Sequence, residues 1–262
     1  MKFCSLLSSS SGNCTYLSSS KTAVLVDIGV SCKAVEQGLT ELGQSPEEIQ
    51  AIFISHEHTD HMKGAGVFAR KYGTPIYATC DTWSQMEKLI GKIPETCIRT
   101  LDTNCFLSVG DIVIQPFSIP HDAKDPVGYS FYIDNQKITT ATDIGHVSAA
   151  VEANLRGSQV VLLEANHDVA MLKSGPYPYP LKQRILSDYG HLSNENCGKL
   201  AVLLAKSGTK RFLLGHLSAE NNRPDLAYQT VCNCFEQAGA SVGVDVHLSV
   251  APKSALSEVF SL

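Results

Sequence analysis

The chain has 262 residues, of which 44% are hydrophobic and 18% charged, which is usual for a soluble globular protein. The net charge of −5 excludes a surface that is basic throughout, but bound divalent cations would still allow a nucleic-acid substrate. No apolar segment approaches the length of a membrane-spanning helix, so no membrane contact is expected.

The N-terminus and the cysteines indicate the cellular compartment of the protein. The apolar run in residues 1–7 is too short for the core of a signal peptide and predicts a first strand instead. Nine cysteines are scattered without a CxxC pair, which favours reduced, mostly structural thiols. We therefore expect a cytoplasmic protein.

Strand and helix patterns alternate in the first third of the chain. Apolar runs rich in β-branched residues predict strands at 3–7, 15–17, 23–28, 51–54 and 75–78, with helices at 31–42 and 64–71. A further helix start is predicted at Ser45-Pro46. The strand at 23–28 includes Asp27 and precedes Gly29, which is typical of a strand that exits into a functional turn.

Residues 105–141 predict strands joined by hairpin turns at 110–111 and 134–136. Alternation then resumes, with strands at 160–163, 211–214 and 244–248 and helices at 195–207 and 224–238. The pattern predicts an α/β (α+β) fold in which two β-sheets pack face to face with helices outside. No linker composition appears near 145–155, so a single domain over 1–262 is expected.

A cluster of potential metal ligands follows the predicted strand at 51–54. Residues 55–61 read Ser-His-Glu-His-Thr-Asp-His, and the ligand types among them are His56, His58, Asp60 and His61. His56 and His58 are two positions apart, so in an extended segment their imidazoles point the same way. A turn into a helix could bring Asp60 and His61 to a second cation. No packing role requires three imidazoles at a strand tip, which favours a metal site.

Three more candidate ligands each follow a strand-like segment: His121, Asp143 and His216. Taken singly, they could be a loop histidine, a turn aspartate and a helix-entry residue. Imidazole and carboxylate ligands without cysteine suit zinc, manganese or iron. Seven candidates exceed the needs of one tetrahedral ion and fit two divalent ions with a shared carboxylate and a bridging hydroxide.

In their order and context these residues resemble the metallo-β-lactamase fold superfamily, and the resemblance covers essentially the whole chain. It implies a four-layer αβ/βα sandwich with two mixed sheets. It also implies that one ion is held by His56, His58 and His121, the other by Asp60, His61 and His216, with Asp143 as the bridge.

Two segments, 163–167 and 190–195, resemble the nuclease branch of that superfamily, which includes tRNase Z-like enzymes. The resemblance implies that Glu164 orients His191 and that His191 protonates the leaving oxygen. The alternative is that His191 only precedes a helix start, because Ser193-Asn194-Glu195 is also a capping pattern.

The serine-rich segment 7–14 and the segment 215–222 resemble the YycJ/WalJ subgroup, whose members are regarded as 5′-to-3′ DNA exonucleases. The loop Ser8–Ser11 could cradle a phosphate or form a flexible hairpin. Basic side chains that could meet backbone phosphates are Lys63, Lys182, Arg184 and Arg223. His146 and His247 are interpreted as structural or surface residues.

The short spacings exclude some relatives. Between Asp143 and His216 there is no room for the large β-CASP insert of RNase J-type enzymes. Between His121 and Asp143 there is no room for the tRNA-binding arm of many tRNase Z enzymes.

We expect a metal-dependent phosphodiester hydrolase, a 5′-to-3′ exonuclease acting on DNA, with Asp60, His191 and Glu164 as catalytic side chains. The expected cofactors are two divalent ions, manganese or zinc, with iron as a further option. The alternatives are a carboxyl-ester or thioester hydrolase on the same scaffold, an RNA-processing nuclease, and a non-catalytic metal-binding or redox module.

Overall fold

Two seven-stranded β-sheets lie face to face in the computed structural model, which describes residues 1–262. The first sheet begins with β1 (Lys2–Ser9), β2 (Gly12–Ser18) and β3 (Ala23–Val26), which are antiparallel neighbours. It continues in parallel with β4 (Ile49–Phe53), β5 (Ile76–Thr79) and β6 (Ile98–Leu101).

The second sheet repeats this change from antiparallel to parallel pairing. Hairpins join β7 (Leu107–Val109), β8 (Ile112–Ser118), β9 (Val127–Ile133) and β10 (Gln136–Ala141). Parallel pairing then adds β11 (Val160–Glu164), β12 (Arg211–Gly215) and β13 (His247–Val250). The last strand, β14 (Phe260–Ser261), returns to the first sheet and pairs with β1.

Nine α-helices flank the sheets. Those of the first half are α1 (Cys32–Glu41), α2 (Thr59–Met62), α3 (Ala65–Tyr72) and α4 (Cys80–Ile90). Those of the second half are α5 (Ala149–Leu155), α6 (Val169–Ser174), α7 (Tyr179–Ile185), α8 (Asn194–Lys206) and α9 (Pro224–Gln237). No helix combines the length and the apolar character needed to cross a membrane.

Three apolar clusters hold the layers together. One lies between the sheets, where the Phe53 ring is 5.5 Å from that of Tyr129 and 6.0 Å from that of Phe131. The other two lie between each sheet and its own helices. The predicted four-layer αβ/βα sandwich is therefore confirmed. All nine cysteines are free thiols and six are buried.

The structure differs from the predicted elements at both sheet edges and in the helices that connect them. The predictions did not include α4, α5, α6, α7, β6 or β14. Three of the four β6 residues are exposed, so that edge strand lacks the alternation that would reveal it. The strand predicted at 244–248 begins at His247, because Gly243 has a φ of +88° and starts a tight turn.

A glycine contact positions the segment that carries the histidine cluster. A side chain on Gly29, in the loop after β3, would place its Cβ 1.6 Å from the backbone oxygen of Asp60. The amide of Gly29 also donates to the Asn13 carbonyl at 2.8 Å. The loop after β3 thus packs directly against α2, which carries Asp60 and His61.

We predict that Gly29→Ala displaces α2, because the new Cβ meets backbone that cannot move independently. Overpacking of this kind typically costs roughly 1–3 kcal/mol, and here it should also weaken metal binding. Urea unfolding and zinc titration measure the two effects. Gly43→Ala is the control, since Gly43 has open space around it and a φ of +69°. Gly43→Ala should lower the free energy of unfolding only by the roughly 1–2 kcal/mol of a left-handed alanine, and it should leave zinc binding intact. Equal zinc binding by the two variants would contradict the prediction.

Candidate metal centre

The candidate ligands meet at one edge of the sandwich, where strands of both sheets end. The histidine cluster follows β4, Asp143 follows β10, and His216 follows β12. The structure brings all seven predicted ligands into overlapping groups of three or four residues whose ligand atoms lie within 4.8 Å of one another.

His56, His58 and His121 form the first group. The distance from His58 Nδ1 to His56 Nε2 is 3.0 Å, and the distance to His121 Nε2 is 3.2 Å. Nitrogens bound at about 2.0–2.1 Å to one tetrahedral ion are separated by roughly 3.3 Å. The three imidazoles therefore fit one divalent ion with little movement.

Asp60, His61 and His216 form the second group. Asp60 Oδ2 lies 3.5 Å from His61 Nε2 and 3.8 Å from His216 Nε2. This group is looser than the first, but its two imidazoles stack 5.3 Å apart at an interplanar angle of 13°. Its atoms suit a second cation of the same kind.

Asp143 lies between the two groups. Its Oδ2 is 3.1 Å from His61 Nε2 and 3.2 Å from His216 Nδ1, whereas its Oδ1 is 3.6 Å from His121 Nε2. Oδ2 is buried and receives no hydrogen bond of acceptable geometry. A carboxylate shared by two ions would occupy this position, and a buried oxygen without a partner is a fitting cation ligand.

The electrostatics of the site also suit a cation. Burial alone would lower the pKa of His61, but the charges of Asp143, Asp27 and Asp60 outweigh it and raise that pKa well above its usual value. Burial likewise would raise the pKa of Asp60, yet His61 and His216 lower it to about 2. Burial and the neighbouring His61 lower the pKa of His56, which keeps that imidazole neutral and able to bind a metal.

Asp27 is a site residue that was not among the predicted ligands. Its Oδ2 accepts a hydrogen bond from His61 Nδ1 at 2.8 Å, and its Oδ1 accepts one from the Ser55 amide at 2.8 Å. Because Nδ1 is occupied, His61 presents Nε2 to the site. The only sequence signal for Asp27 was its place at the end of a strand.

Asn13, which lies in the serine-rich segment 7–14, is a second site residue that was not among the predicted ligands. Its Nδ2 lies 3.2 Å from the Asp60 carbonyl and 3.3 Å from both His61 Nε2 and His216 Nδ1. Its Oδ1 accepts from the Ser9 amide at 3.2 Å, which fixes the orientation of the side chain.

The serine-rich loop mainly supports the site. Ser8 Oγ accepts a hydrogen bond from the His216 amide at 2.8 Å, and Ser9 Oγ accepts one from the Ser11 amide at 3.2 Å. Of the serines in this loop, Ser10 lines the cleft above the ligands. A phosphate cradle at this loop would therefore rest on Ser10.

Glu164 and His191 are paired beside the ligands. Glu164 Oε1 accepts from His191 Nδ1 at 2.8 Å, while Oε2 accepts from the amides of Ile144 at 2.7 Å and Leu192 at 3.1 Å. Both oxygens of Glu164 are thus occupied, which disfavours it as a metal ligand. The cap of α8 is Ser193, which accepts from the Asn196 amide, so His191 has no capping contact.

The pairing sets the charge of His191. Burial alone would lower the pKa of its imidazole, but the charge and hydrogen bond of Glu164 outweigh this and raise the pKa to about 9. The Glu164 carboxylate therefore favours the protonated form of His191, which is the state of a proton donor.

The remaining histidines and the basic candidates are distributed around the site. His146 and His247 are exposed and lie outside the ligand groups, and His167 is buried. A cleft of about 540 Å³ opens onto the ligands, and of the four basic candidates only Arg184 lines it. Lys182 Nζ donates to the carbonyls of Lys173 and Gly175 instead, at 2.7 Å each.

Comparison with known proteins identifies the family. A model of the β-lactamase superfamily domain matches residues 22–217. The chain belongs to this family. It is 44% identical over 246 residues to exodeoxyribonuclease WalJ of Streptococcus pneumoniae, covering 93% of this chain and 91% of that protein. It is 39% identical over 243 residues to exodeoxyribonuclease YycJ of Bacillus anthracis, and the match covers 93% of this chain and 92% of that protein.

Solved structures agree on the fold. The metallo-β-lactamase fold protein YhfI from Bacillus subtilis gives a TM-score of 0.72 at 16% identity, with 98% of each chain covered. The short form of human tRNase Z gives a TM-score of 0.64 at 18% identity, and the match covers 98% of this chain and 99% of that chain. The family's fold and the His/Asp groups together indicate a protein that binds divalent metal.

We predict that Asp27→Asn weakens metal binding by roughly 10–100-fold, because an amide cannot hold His61 in the same tautomer. Isothermal titration of metal-free protein with zinc measures the loss. Asp111→Asn is the matched control, since Asp111 accepts from Ser19 in an exposed turn. Equal zinc affinity in the Asp27 variant and the control would show that Asp27 does not support the site.

Proposed function

We propose that the chain acts as one metal-dependent phosphodiester hydrolase domain over 1–262, a 5′-to-3′ exonuclease that degrades DNA. The observation that carries the proposal is the Glu164–His191 pair beside the ligand groups, because a protonated imidazole there suits the expulsion of an alkoxide. The names of two relatives at 44% and 39% identity, both exodeoxyribonucleases, support the same substrate class.

The proposed ligands divide into two sets with Asp143 shared between them. His56, His58 and His121 would hold one ion, and Asp60, His61 and His216 the other. Manganese or zinc suits these imidazole and carboxylate ligands. Such ions would neutralise charge on the phosphoryl oxygens and lower the pKa of an attacking water.

The protein groups then orient the water and donate the proton. Asp60 would accept a hydrogen bond from the attacking water, since its Oδ2 faces the second ligand group and its pKa of about 2 keeps it ionised. His191 would protonate the leaving oxygen while Glu164 holds its Nδ1 at 2.8 Å. The Glu164 charge would stabilise the imidazolium until that transfer.

The test is degradation of end-labelled DNA and RNA, single- and double-stranded, by metal-free protein resupplied with manganese or zinc. We expect metal-dependent loss of nucleotides from the 5′ end of DNA, and no loss with Asp60→Ala. Attack from the 3′ end would refute the polarity, and a preference for RNA would favour RNA processing. If no polymer is cleaved with either metal, the proposal fails and small esters and thioesters become the substrates to test.

We predict that His191→Ala affects substrates according to their leaving group. An alkoxide needs a proton to leave, so the rate on DNA should fall by roughly 10²–10⁴-fold. The p-nitrophenolate of bis(p-nitrophenyl) phosphate is stable without a proton, so the rate on that diester should change by less than about tenfold.

Steady-state rates of the His191 variant on both substrates give the comparison, with His146→Ala as a control because His146 is exposed and outside the ligand groups. Equal losses on the two substrates would mean that His191 supports the metal site rather than donating a proton.

A further inference from the structure

The cleft above the ligands is poor in positive charge. Its lining includes the carboxylates of Glu57, Asp60 and Asp143, and Arg184 is the one arginine or lysine among its residues. A nucleic-acid strand carries one charge per nucleotide. Apart from the metal ions and the proposed proton donor His191, the strand would therefore find a single fixed cation in this cleft.

Arg184 is held in a defined orientation. It lies on α7, and its Nε and Nη2 bond to the two carboxylate oxygens of Asp122, with Nη2 3.0 Å from Oδ1. Asp122 is fixed in turn, because its amide donates to the Tyr189 carbonyl at 3.1 Å. A guanidinium held by two parallel bonds loses little freedom when it binds a further anion.

The guanidinium lies close to the reacting centre without being part of it. Asp122 Oδ1 is 3.4 Å from His121 Nε2 and 3.0 Å from Arg184 Nη2, so one carboxylate oxygen separates Arg184 from a proposed ligand. Nη1 of Arg184 makes no hydrogen bond within the chain, and the side chain is 51% exposed. Its remaining donors are free to meet an anion in the cleft.

The other basic candidates do not offer this geometry, and Lys63 does not line the cleft. Lys182 is occupied by two carbonyls, and Arg223 pairs with Asp225 outside the cleft. An exposed Arg–Asp pair contributes little to stability. An arginine fork that faces a cleft with three carboxylates is therefore better explained by substrate binding than by folding.

We propose that Arg184 binds a second phosphate of the same strand, next to the phosphate that is cleaved. This inference rests on the proposed nuclease function and adds a subsite to it. Substrates with two or more phosphates would gain affinity from Arg184, whereas a diester with a single phosphorus would not. The second phosphate could be a terminal monoester or an internal diester, since both present the same oxygens to a guanidinium.

The test compares wild type, Arg184→Gln and Arg184→Lys on a DNA oligonucleotide and on bis(p-nitrophenyl) phosphate. For Arg184→Gln we expect KM on the oligonucleotide to rise roughly 10–100-fold, the usual effect of losing a charged hydrogen bond. KM and kcat on bis(p-nitrophenyl) phosphate should stay within about twofold. Arg184→Lys should recover part of the loss because it keeps the charge but not the fork.

A matched control separates this effect from a general loss of positive charge. Arg156 also forms an exposed pair with a carboxylate, that of Glu152, and it does not line the cleft. Arg156→Gln should leave KM on the oligonucleotide unchanged. Metal content of the purified variants is one readout that does not depend on turnover. Fluorescence anisotropy of a labelled oligonucleotide with metal-free protein is the other. We expect anisotropy to show weaker binding only for the Arg184 variants.

Two versions of the oligonucleotide distinguish the sources of the phosphate. If the subsite takes the terminal monoester, Arg184→Gln should lose affinity only for 5′-phosphorylated DNA; if it takes an internal diester, the loss should be equal for 5′-phosphorylated and 5′-hydroxyl DNA. Unchanged KM on both, or an equal loss on bis(p-nitrophenyl) phosphate, would overturn the inference. Wild-type protein that cleaves no polymer would instead refute the proposed function itself.

Discussion

The contact of Asp143 with ligands from both halves of the sandwich is the interaction on which the site depends. Its Oδ2 lies 3.1 Å from His61, which follows the first sheet, and 3.2 Å from His216, which follows the second. Neither sheet could assemble the site alone. The apolar layer between the sheets therefore does more than stabilise the fold, because it fixes the distance between two sets of ligands. A divalent cation at this point would offset the negative charge of the buried carboxylates and use the imidazole nitrogens as ligands.

Backbone strain accumulates at the same place. Five non-glycine residues have positive φ, and three of them, Asp27, Asp143 and His216, are site residues at the ends of strands. Each such conformation costs roughly 1–3 kcal/mol. Hydrogen bonds oppose this cost: the His216 amide donates to Ser8 Oγ at 2.8 Å, and Asp27 accepts from Ser55. The strand ends are thus bent to aim side chains at one point, and the serine-rich loop helps to hold them there.

Local patterns revealed the histidine cluster, and the family resemblance supplied the distant ligands His121, Asp143 and His216. Neither revealed the side chains that support those ligands. The His56–His61 cluster is visible because its ligands are two to five positions apart and follow an apolar strand. Asp27 and Asn13 lie 34 and 48 positions from His61. Their segments indicated a functional turn and a nuclease-like loop, but no local pattern shows that either side chain contacts His61. The strand expected at 244–248 fails for a similar reason, since alternating valines look like a strand until the positive φ of Gly243 turns the chain away.

The fold alone leaves the reaction open, because one scaffold can host several hydrolases. The ligand groups narrow the chemistry to metal-assisted hydrolysis but suit esters and phosphodiesters alike. The contacts of Glu164 distinguish these reactions better. Both of its carboxylate oxygens already accept hydrogen bonds, from His191, Ile144 and Leu192, so it is poorly placed to bind a metal. Its Oε1 is bonded to His191 Nδ1, an arrangement that favours a protonated imidazole beside the site. A thioester or an activated ester has little use for such a donor, because its leaving group departs readily without a proton. A phosphodiester of a sugar alcohol depends on one, and this difference in leaving group is the strongest physical reason to place the chain among nucleases.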